Sequence, residues 1–222
     1  MTTKLKDMTK IFTGIFPVWS LWYLGILLII YIISNIFASD GITSFFGFGM
    51  TANRTYLFVL GILSVLMFTE WAVNMGVSRK TFYKSLMITG LITAVFITAV
   101  TGIITFGLSF TPFAGEYMTP EDMKYLSGFE YGVFHFISGL MFWALGILIA
   151  AAFYRGFWAG MLSIFSGLLA LVFLIFNEQL LNYFSVLGNM SVLVGYALLI
   201  ALILLYSWIG FRVIKNIPVK FG

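Results

Sequence analysis

Apolar residues fill six long stretches of the chain, and polar residues gather in the short segments between them. Each stretch holds about 20 mostly apolar residues, the length that an α-helix needs to cross ~30 Å of hydrocarbon. The third span lies inside a long charge-free stretch, and all six lie within residues 17–38, 56–73, 85–115, 131–154, 157–176 and 190–211. This pattern predicts an all-α membrane protein with six transmembrane helices.

The first sixteen residues have an amphipathic pattern. Four apolar residues recur at helical spacing and form one face: Leu5, Met8, Phe12 and Ile15. Three charged residues lie opposite: Lys6, Asp7 and Lys10. The pattern is typical of a helix that lies in the membrane interface, and the alternative is a charged tail that only sets topology. We therefore predict an interfacial helix at 1–16 and a single six-helix transmembrane domain at 17–222.

Two segments predicted on the outer side differ in character. Residues 111–130 contain two prolines and four acids, which is typical of an exposed loop. Residues 177–189 are half apolar and too short to cross the membrane. They fit a re-entrant segment before the last helix, provided that protein covers their backbone groups, or else an amphipathic connector.

The composition supports a lipid environment. The chain has 222 residues, of which 61% are hydrophobic and 9% are charged, whereas soluble domains carry roughly 25% charged residues. Cysteine is absent, which excludes disulfides, thiolate metal sites and cysteine nucleophiles. The positive net charge is explained by membrane topology, and we expect no nucleic-acid partner.

The distribution of basic residues predicts the orientation, because cytoplasmic loops are enriched in Lys and Arg. With the N-terminus inside, ten basic residues fall on the inner side: Lys4, Lys6, Lys10, Arg79, Lys80, Lys84, Arg155, Arg212, Lys215 and Lys220. Two fall outside: Arg54 and Lys124. The bias predicts a multi-pass protein of the cell membrane with both termini in the cytoplasm.

Sequence signatures of catalysis are missing. The chain has neither a Gly-x-x-x-x-Gly-Lys-[Ser/Thr] phosphate loop nor a Gly-x-Ser-x-Gly elbow, and its single histidine, His135, fits a polar position in a helix bundle. We expect no enzyme, metal or cofactor in this chain. Glu70 is the one candidate for a charge within a span, near its inner end. Carriers driven by protons or sodium need acids near the midplane, so uphill transport would need an outside source of energy.

Small and hydroxyl residues form two stripes. One runs along the fifth span: Gly156, Gly160, Ser163, Gly167 and Ala170. Small residues let helices approach closely, either within the chain or at a seam with a second chain. The other runs along the third span: Thr98, Thr101 and Thr105. These hydroxyls bond to their own backbone or line a polar path.

The loop after the second span carries the most informative pattern. Gly76 is suited to end that span because it accepts a positive φ, and Ser78 is suited to cap a new short helix. The short helix would have a basic face, Arg79, Lys80 and Lys84, and an aromatic one, Phe82 and Tyr83. Such a helix fits docking to another protein, or a positive anchor that only sets orientation.

The run Asn74-x-Gly-x-Ser-Arg-Lys-x-Phe-Tyr resembles the segment after span two in ABC-2-type permeases, the membrane subunits of bacterial ABC exporters. The motif covers about residues 70–84, and the predicted architecture agrees with the family over the whole chain. The resemblance implies that this segment is a coupling helix for a separate ATPase subunit. The residues implied are Glu70, as a brace, and Asn74, Gly76, Ser78, Arg79, Lys80, Phe82 and Tyr83.

The resemblance also implies a function. The chain would be the permease subunit of an ATP-driven exporter and would form the substrate path with a second permease chain, either identical or a sister. ATP and Mg would bind to the ATPase subunit, and this chain would hold no cofactor. The substrate would be amphipathic or hydrophobic: a peptide, drug or lipid. The alternative is a membrane protein that transports nothing, such as an immunity or sensor component.

Overall fold

A computed structural model describes residues 3–37, 44–113, 128–185 and 190–216. Within these ranges the chain is all-helical, without a strand. The six helices are α1 (Thr3–Phe37), α2 (Phe45–Asn74), α3 (Arg79–Leu108), α4 (Gly128–Arg155), α5 (Phe157–Ser185) and α6 (Met190–Lys215). The predicted all-α class is confirmed.

Five of these helices, α1 to α4 and α6, are long and apolar enough to cross a membrane. The apolar part of α5 that the structure describes covers Phe157–Leu169. The chain is therefore a multi-pass membrane protein by the length and composition of its helices. The count of six spans stays a prediction.

The first helix is longer than one span. α1 has 35 residues, with Pro17 inside it, and is about 52 Å long. Its N-terminal part packs on the bundle: the ring centroid of Phe12 lies 5.1 Å from that of Phe68 and 6.2 Å from that of Phe82. The apolar face predicted within residues 1–16 thus contacts the protein's own helices, and the interfacial position of this segment stays a prediction.

The central helix is α4, which packs against α2, α3, α5 and α6. Two glycines bring its backbone against that of α2. A Cβ on Gly61 would lie 2.5 Å from the carbonyl oxygen of Trp143, and a Cβ on Gly146 would overlap the carbonyl oxygen of Phe58. Close approach through small residues is a common way for helices to associate in lipid, where dispersion contacts replace the hydrophobic effect.

The re-entrant segment predicted at 177–189 is not confirmed. Residues 177–185 continue α5 as a helix, and residues 186–189 lie outside the described ranges. α5 thus continues nine residues beyond residue 176, the predicted end of the fifth span, while the position of the span itself stays a prediction. The physical reason is that the chain has no glycine or proline between residue 176 and Gly188 to stop the helix.

Candidate functional site

The turn between α2 and α3 is built by two residues. Gly76 adopts a φ of +67°, the left-handed conformation predicted for it. Ser78 is the N-cap of α3, and its hydroxyl accepts a hydrogen bond of 3.2 Å from the Thr81 N–H. The cap was expected to begin a separate short helix, but residues 79–84 form the first turns of the 30-residue α3. Residues 77–89 contain no glycine or proline that would end a helix shortly after Lys84.

The residues of the implied coupling contact divide into two groups. Most are on the surface: Glu70, Asn74, Gly76, Ser78 and Lys80 are exposed, and Arg79 is half-buried. Phe82 and Tyr83 are buried. The exposed polar residues and the aromatic pair therefore do not form one outer face, because Phe82 packs toward α1 and Tyr83 toward α6.

The buried aromatic pair joins the turn to the rest of the bundle. Phe82 packs against Phe12 of α1. Tyr83 packs against Phe211 of α6, with ring centroids 5.6 Å apart, and donates its hydroxyl to the carbonyl of Ser207. The first turn of α3 is therefore held from two sides.

Polar contacts attach the same turn to both ends of the described chain. Lys4 Nζ donates to the carbonyl oxygen of Gly76 at 2.8 Å, and Arg79 Nη1 donates to that of Lys215 at 3.3 Å. At the same end of the bundle, the Tyr154 hydroxyl donates to the carbonyl oxygen of Leu66 at 3.2 Å. The helix ends that carry Lys4, Arg79 and Lys215 form a positively charged surface, which attracts acidic partners. We call this surface the basic end.

Arg54 was assigned to an outer loop, and this assignment is wrong. It lies inside α2 with 6% of its surface exposed. Its Nε donates to Ser138 Oγ at 2.9 Å, and its guanidinium lies 5.2 Å from the centre of the Phe134 ring. The error arose because α2 begins eleven residues before the predicted start at 56, in a run whose glycines and polar residues interrupt the apolar pattern.

One sequence signal marks the true start of α2. Ser44 is its N-cap, with its hydroxyl accepting from the Gly47 N–H at 3.4 Å. Serine is among the preferred N-cap residues and here precedes Phe45 and Phe46. A cap at this position moves Asn53 and Arg54 from a loop into the helix bundle.

A polar cluster lies beside Arg54, between α2, α3 and α4. Asn53 Nδ2 lies 3.1 Å from both Thr101 Oγ1 and His135 Nε2, and Thr98 Oγ1 lies 2.9 Å from His135 Nδ1. Asn53, Thr101 and His135 are buried, and Thr98 is half-buried. The single histidine is thus a hydrogen-bonded residue of the helix bundle.

The amide of Asn53 determines how the protons are placed in this cluster. With the Asn53 amide oriented so that Nδ2 faces His135 Nε2, the hydrogen-bond pattern assigns the ring proton of a neutral imidazole to Nδ1, next to Thr98 Oγ1. Hydrogen-bonded networks of side chains stabilise a protein more in its low-dielectric interior than at its surface.

The threonines of the third span make two kinds of hydrogen bond, and the polar path that they were expected to line stays a prediction. Thr98 and Thr101 bond to side chains of other helices. Thr105 donates to the backbone carbonyl of Thr101 at 2.8 Å. The sequence thus identified hydroxyls that contact the cluster without showing that Asn53 and His135 would join them.

In the small-residue stripe, Gly156 lies between α4 and α5, and Gly160 and Gly167 face α4 of the same chain. A Cβ on Gly160 would lie 2.5 Å from Phe153 Cε1, and one on Gly167 would lie 3.3 Å from Leu145 Cδ2. Ser163 is buried and donates to the carbonyl of Gly160 at 2.6 Å. These positions are used for packing within the chain.

Among the residues that the structure describes, no group of three or more His, Cys, Asp or Glu side chains is placed to hold a metal ion. Comparisons with protein-family models, curated proteins and solved structures found no match for this chain. The geometry of the described residues leaves two candidate sites, which are the surface of the α2–α3 turn and the buried cluster.

The cluster leads to a stability prediction. Replacing Asn53 by leucine is expected to lower the free energy of unfolding by about 1–3 kcal/mol, because the buried His135 Nε2 loses its donor. Unfolding by a denaturing detergent, followed by tryptophan fluorescence, measures the change. The control is Asn35 to leucine, since Asn35 Nδ2 donates to the carbonyl of Tyr31 in its own helix at 3.0 Å. Equal effects of the two substitutions would contradict the role of the cluster.

Proposed function

We propose that this chain is the permease subunit of an ATP-driven exporter of amphipathic or hydrophobic substrates. It works with a second permease chain and with separate ATPase subunits that bind ATP and Mg. The observation that carries the proposal is the α2–α3 turn. Its polar residues are exposed at the basic end, while its aromatic residues attach it to α1 and α6.

The turn has the mechanical properties that coupling requires. Its exposed residues are available to a partner, and α3 continues from it as one helix of 30 residues. A push on Ser78 or Lys80 is therefore transmitted along the whole of α3 and, through Phe82 and Tyr83, to α1 and α6. Packed elements respond to such a push as rigid bodies rather than by continuous deformation.

The charges of the described helices favour an external energy source. The acids of the described helices all lie within about two turns of a helix end: Asp7 of α1, Glu70 of α2, Glu130 of α4 and Glu178 of α5. Arg54 is the charge that lies deeper, and it bonds to Ser138 and packs over Phe134. A carrier coupled to protons typically has acids in the middle of its helices.

The described surface suits an apolar cargo or a second chain. A groove of about 760 Å³ runs between α2, α4 and α5, with mainly aliphatic and aromatic walls. The described residues that line the groove include Phe58, Ile62, Phe142 and Leu168, and none of them is a lysine or an arginine. Grooves of this composition bind apolar groups. This supports a hydrophobic or amphipathic substrate.

The test is a purification from the native membrane. The tagged chain is extracted in mild detergent, and the proteins that co-purify in stoichiometric amount are identified. We expect a subunit with a phosphate-binding loop. Changing both Lys80 and Lys84 to glutamate should reduce its recovery at least about tenfold, because like charges facing each other at an interface cost several kcal/mol. Both lysines are exposed, so the fold should tolerate the change.

The matched control is the double change of Lys6 and Lys10 to glutamate. These two lysines are also exposed and lie in the N-terminal part of α1, so the change of net charge is the same. The control should retain the ATPase subunit. If the subunit stays bound to the Lys80/Lys84 variant, docking occurs elsewhere. If the unmodified chain purifies without an ATPase, the immunity or sensor function replaces the exporter.

A further inference from the structure

The apolar groove between α2, α4 and α5 ends near an acidic residue. Its lining residues on α2 follow one face of that helix: Thr55, Phe58, Ile62 and Leu66. Glu70 follows Leu66 by four residues, so it lies on the same face, one turn closer to the basic end. The Tyr154 hydroxyl of α4 donates to the carbonyl oxygen of Leu66, which joins the two helices at this level. We call this surface the α2–α5 groove.

Helix geometry directs the side chain of Glu70 back toward the groove. Each Cα–Cβ bond of an α-helix is tilted toward the N-terminus of the helix, so a long side chain covers the turn that precedes it. On this face of α2 the preceding turn carries Leu66, which lines the groove. Glu70 is exposed. Its carboxylate is therefore available at the inner mouth of the groove.

The inner mouth of the groove has a negative charge. The described residues that line the groove carry no formal charge. The helices of the groove contain two basic residues. Arg54 lies in the opposite half of α2 and donates to Ser138. Arg155 follows the groove-lining Phe153 by two residues, which places it about 200° around α4 from that wall. Glu70 is thus the charge that a ligand in the groove would meet.

The depth of Glu70 matches the boundary between hydrocarbon and headgroups. α2 has 30 residues and is about 45 Å long, whereas the hydrocarbon of a bilayer is about 30 Å thick. A centred helix therefore has about 7 Å beyond the hydrocarbon at each end. Glu70 lies four residues, or about 6 Å, before the end of α2 at Asn74. The groove thus places a carboxylate at the boundary and apolar walls directly below it in the hydrocarbon.

We propose that the α2–α5 groove binds a cationic amphiphile, whose ammonium group lies against Glu70 and whose alkyl chain lies along Ile62, Phe142 and Leu168. The volume of about 760 Å³ is in the range of sites that bind drug-sized ligands. Phosphatidylethanolamine fits less well, because its phosphate would bring a second negative charge to Glu70. A second copy of the chain, packed groove to groove about a two-fold axis along the membrane normal, would bring two Glu70 carboxylates to the same depth.

The test uses two photoactivatable probes that share one alkyl chain with a diazirine. One probe ends in a trimethylammonium group and the other in a hydroxyl. The full chain is reconstituted in phosphatidylcholine vesicles without an ATPase or nucleotide, and adducts are mapped by mass spectrometry of peptides. Adducts on the groove are divided by those on the exposed residues Trp22 and Ile26 of α1 in the same sample, which cancels differences in partitioning. We expect this ratio to be about 2- to 5-fold higher for the ammonium, within the range of one exposed ion pair.

Two variants and their matched controls locate the site. Glu70→Gln should make the two ratios equal, whereas Asp7→Asn should keep the preference, since Asp7 is likewise exposed and its replacement changes the net charge by the same amount. Leu168→Trp should lower groove labelling by both probes, because the larger side chain occupies the groove. Leu169→Trp should not, since Leu169 is exposed to a similar extent, 57% against 55%, but is not among the described residues that line the groove. All variants are compared after confirming unchanged thermal unfolding.

Four results would overturn the proposal. The first is an equal ratio for the two probes in the unmodified chain, and the second is a preference for the ammonium that persists in Glu70→Gln. The third is loss of groove labelling when phosphatidylethanolamine is added to the vesicles, which would assign the groove to a membrane lipid. The fourth is cross-linking of two copies of the chain through groove residues, which would assign it to a protein interface.

As a statement about the exported substrate, the inference rests on the exporter proposal, but the two fail separately. Labelling is measured without an ATPase, so a chain that purifies alone and still prefers the ammonium probe at Glu70 keeps the binding site and loses the exporter function. A chain that purifies with an ATPase but shows no such preference keeps the exporter function and loses the cationic substrate class.

Discussion

Replacing Gly146 by alanine is expected to lower the free energy of unfolding by about 2–3 kcal/mol, the upper part of the range for an overpacked interior. The added methyl group would overlap the carbonyl oxygen of Phe58 and lie 3.1 Å from the backbone nitrogen of Ile62. Both atoms belong to the backbone of α2, so no side-chain rotation can relieve the clash. The two helices would have to separate along their whole contact.

The control substitution tests whether the sign of the change in the free energy of unfolding depends on the helix contact. Gly25 lies in α1, where an added Cβ would meet nothing within 4 Å. Alanine is better than glycine in a helix by about 1 kcal/mol, so Gly25 to alanine should be neutral or stabilising. Unfolding of the reconstituted variants with a denaturing detergent measures both changes. Stabilisation by both substitutions would mean that α2 and α4 do not meet at Gly146.

The helices themselves could be predicted from the sequence, but their ends could not always be. An apolar stretch of about 20 residues has few alternatives to a membrane-spanning helix, because lipid offers the backbone no hydrogen bonds. The beginning of α2 was missed since residues 45–55 mix aromatic, glycine and polar side chains. Those polar side chains are satisfied by other helices, such as Arg54 by Ser138, and a pattern along one helix cannot show this.

The same limit applies to the candidate sites. Gly76 and Ser78 act through local geometry, and their backbone roles were predicted correctly. The burial of Phe82 and Tyr83 depends on partners in α1 and α6, more than 65 residues away in the chain. The joining of Asn53, Thr98 and His135 depends on how three helices align along their axes. Periodicity determines the faces of a helix but not which face meets which.

The bundle combines a closely packed centre with attachments at the basic end. α2 and α4 are in backbone contact at Gly61 and Gly146. α3 is joined to α1 and α6 near its first turn, and farther along it meets Trp143 of α4 at Gly90. The contact between α3 and α4 at Trp143 is the part of this packing that a substitution tests most directly.

Replacing Trp143 by alanine should lower the free energy of unfolding by about 3 kcal/mol, at the lower limit of tryptophan truncations in protein cores. The side chain is fully buried and packs against Phe16 with ring centroids 5.7 Å apart. The cost comes mainly from the cavity, since lipid would solvate the released apolar surface in the unfolded state. Trp158, with 78% of its surface exposed, is the control, and its truncation should cost less than about 0.5 kcal/mol.

A second substitution at Gly90 of α3 tests the contact directly. A Cβ there would lie 2.5 Å from Trp143 Cδ1, so Gly90 to alanine should destabilise the unmodified protein. In the Trp143 to alanine background the same methyl group enters the vacated space and gains helix propensity, so it should stabilise. The double-mutant cycle should give a coupling energy of at least about 1 kcal/mol. An equal effect of Gly90 to alanine in both backgrounds would show that α3 and α4 do not meet at this pair.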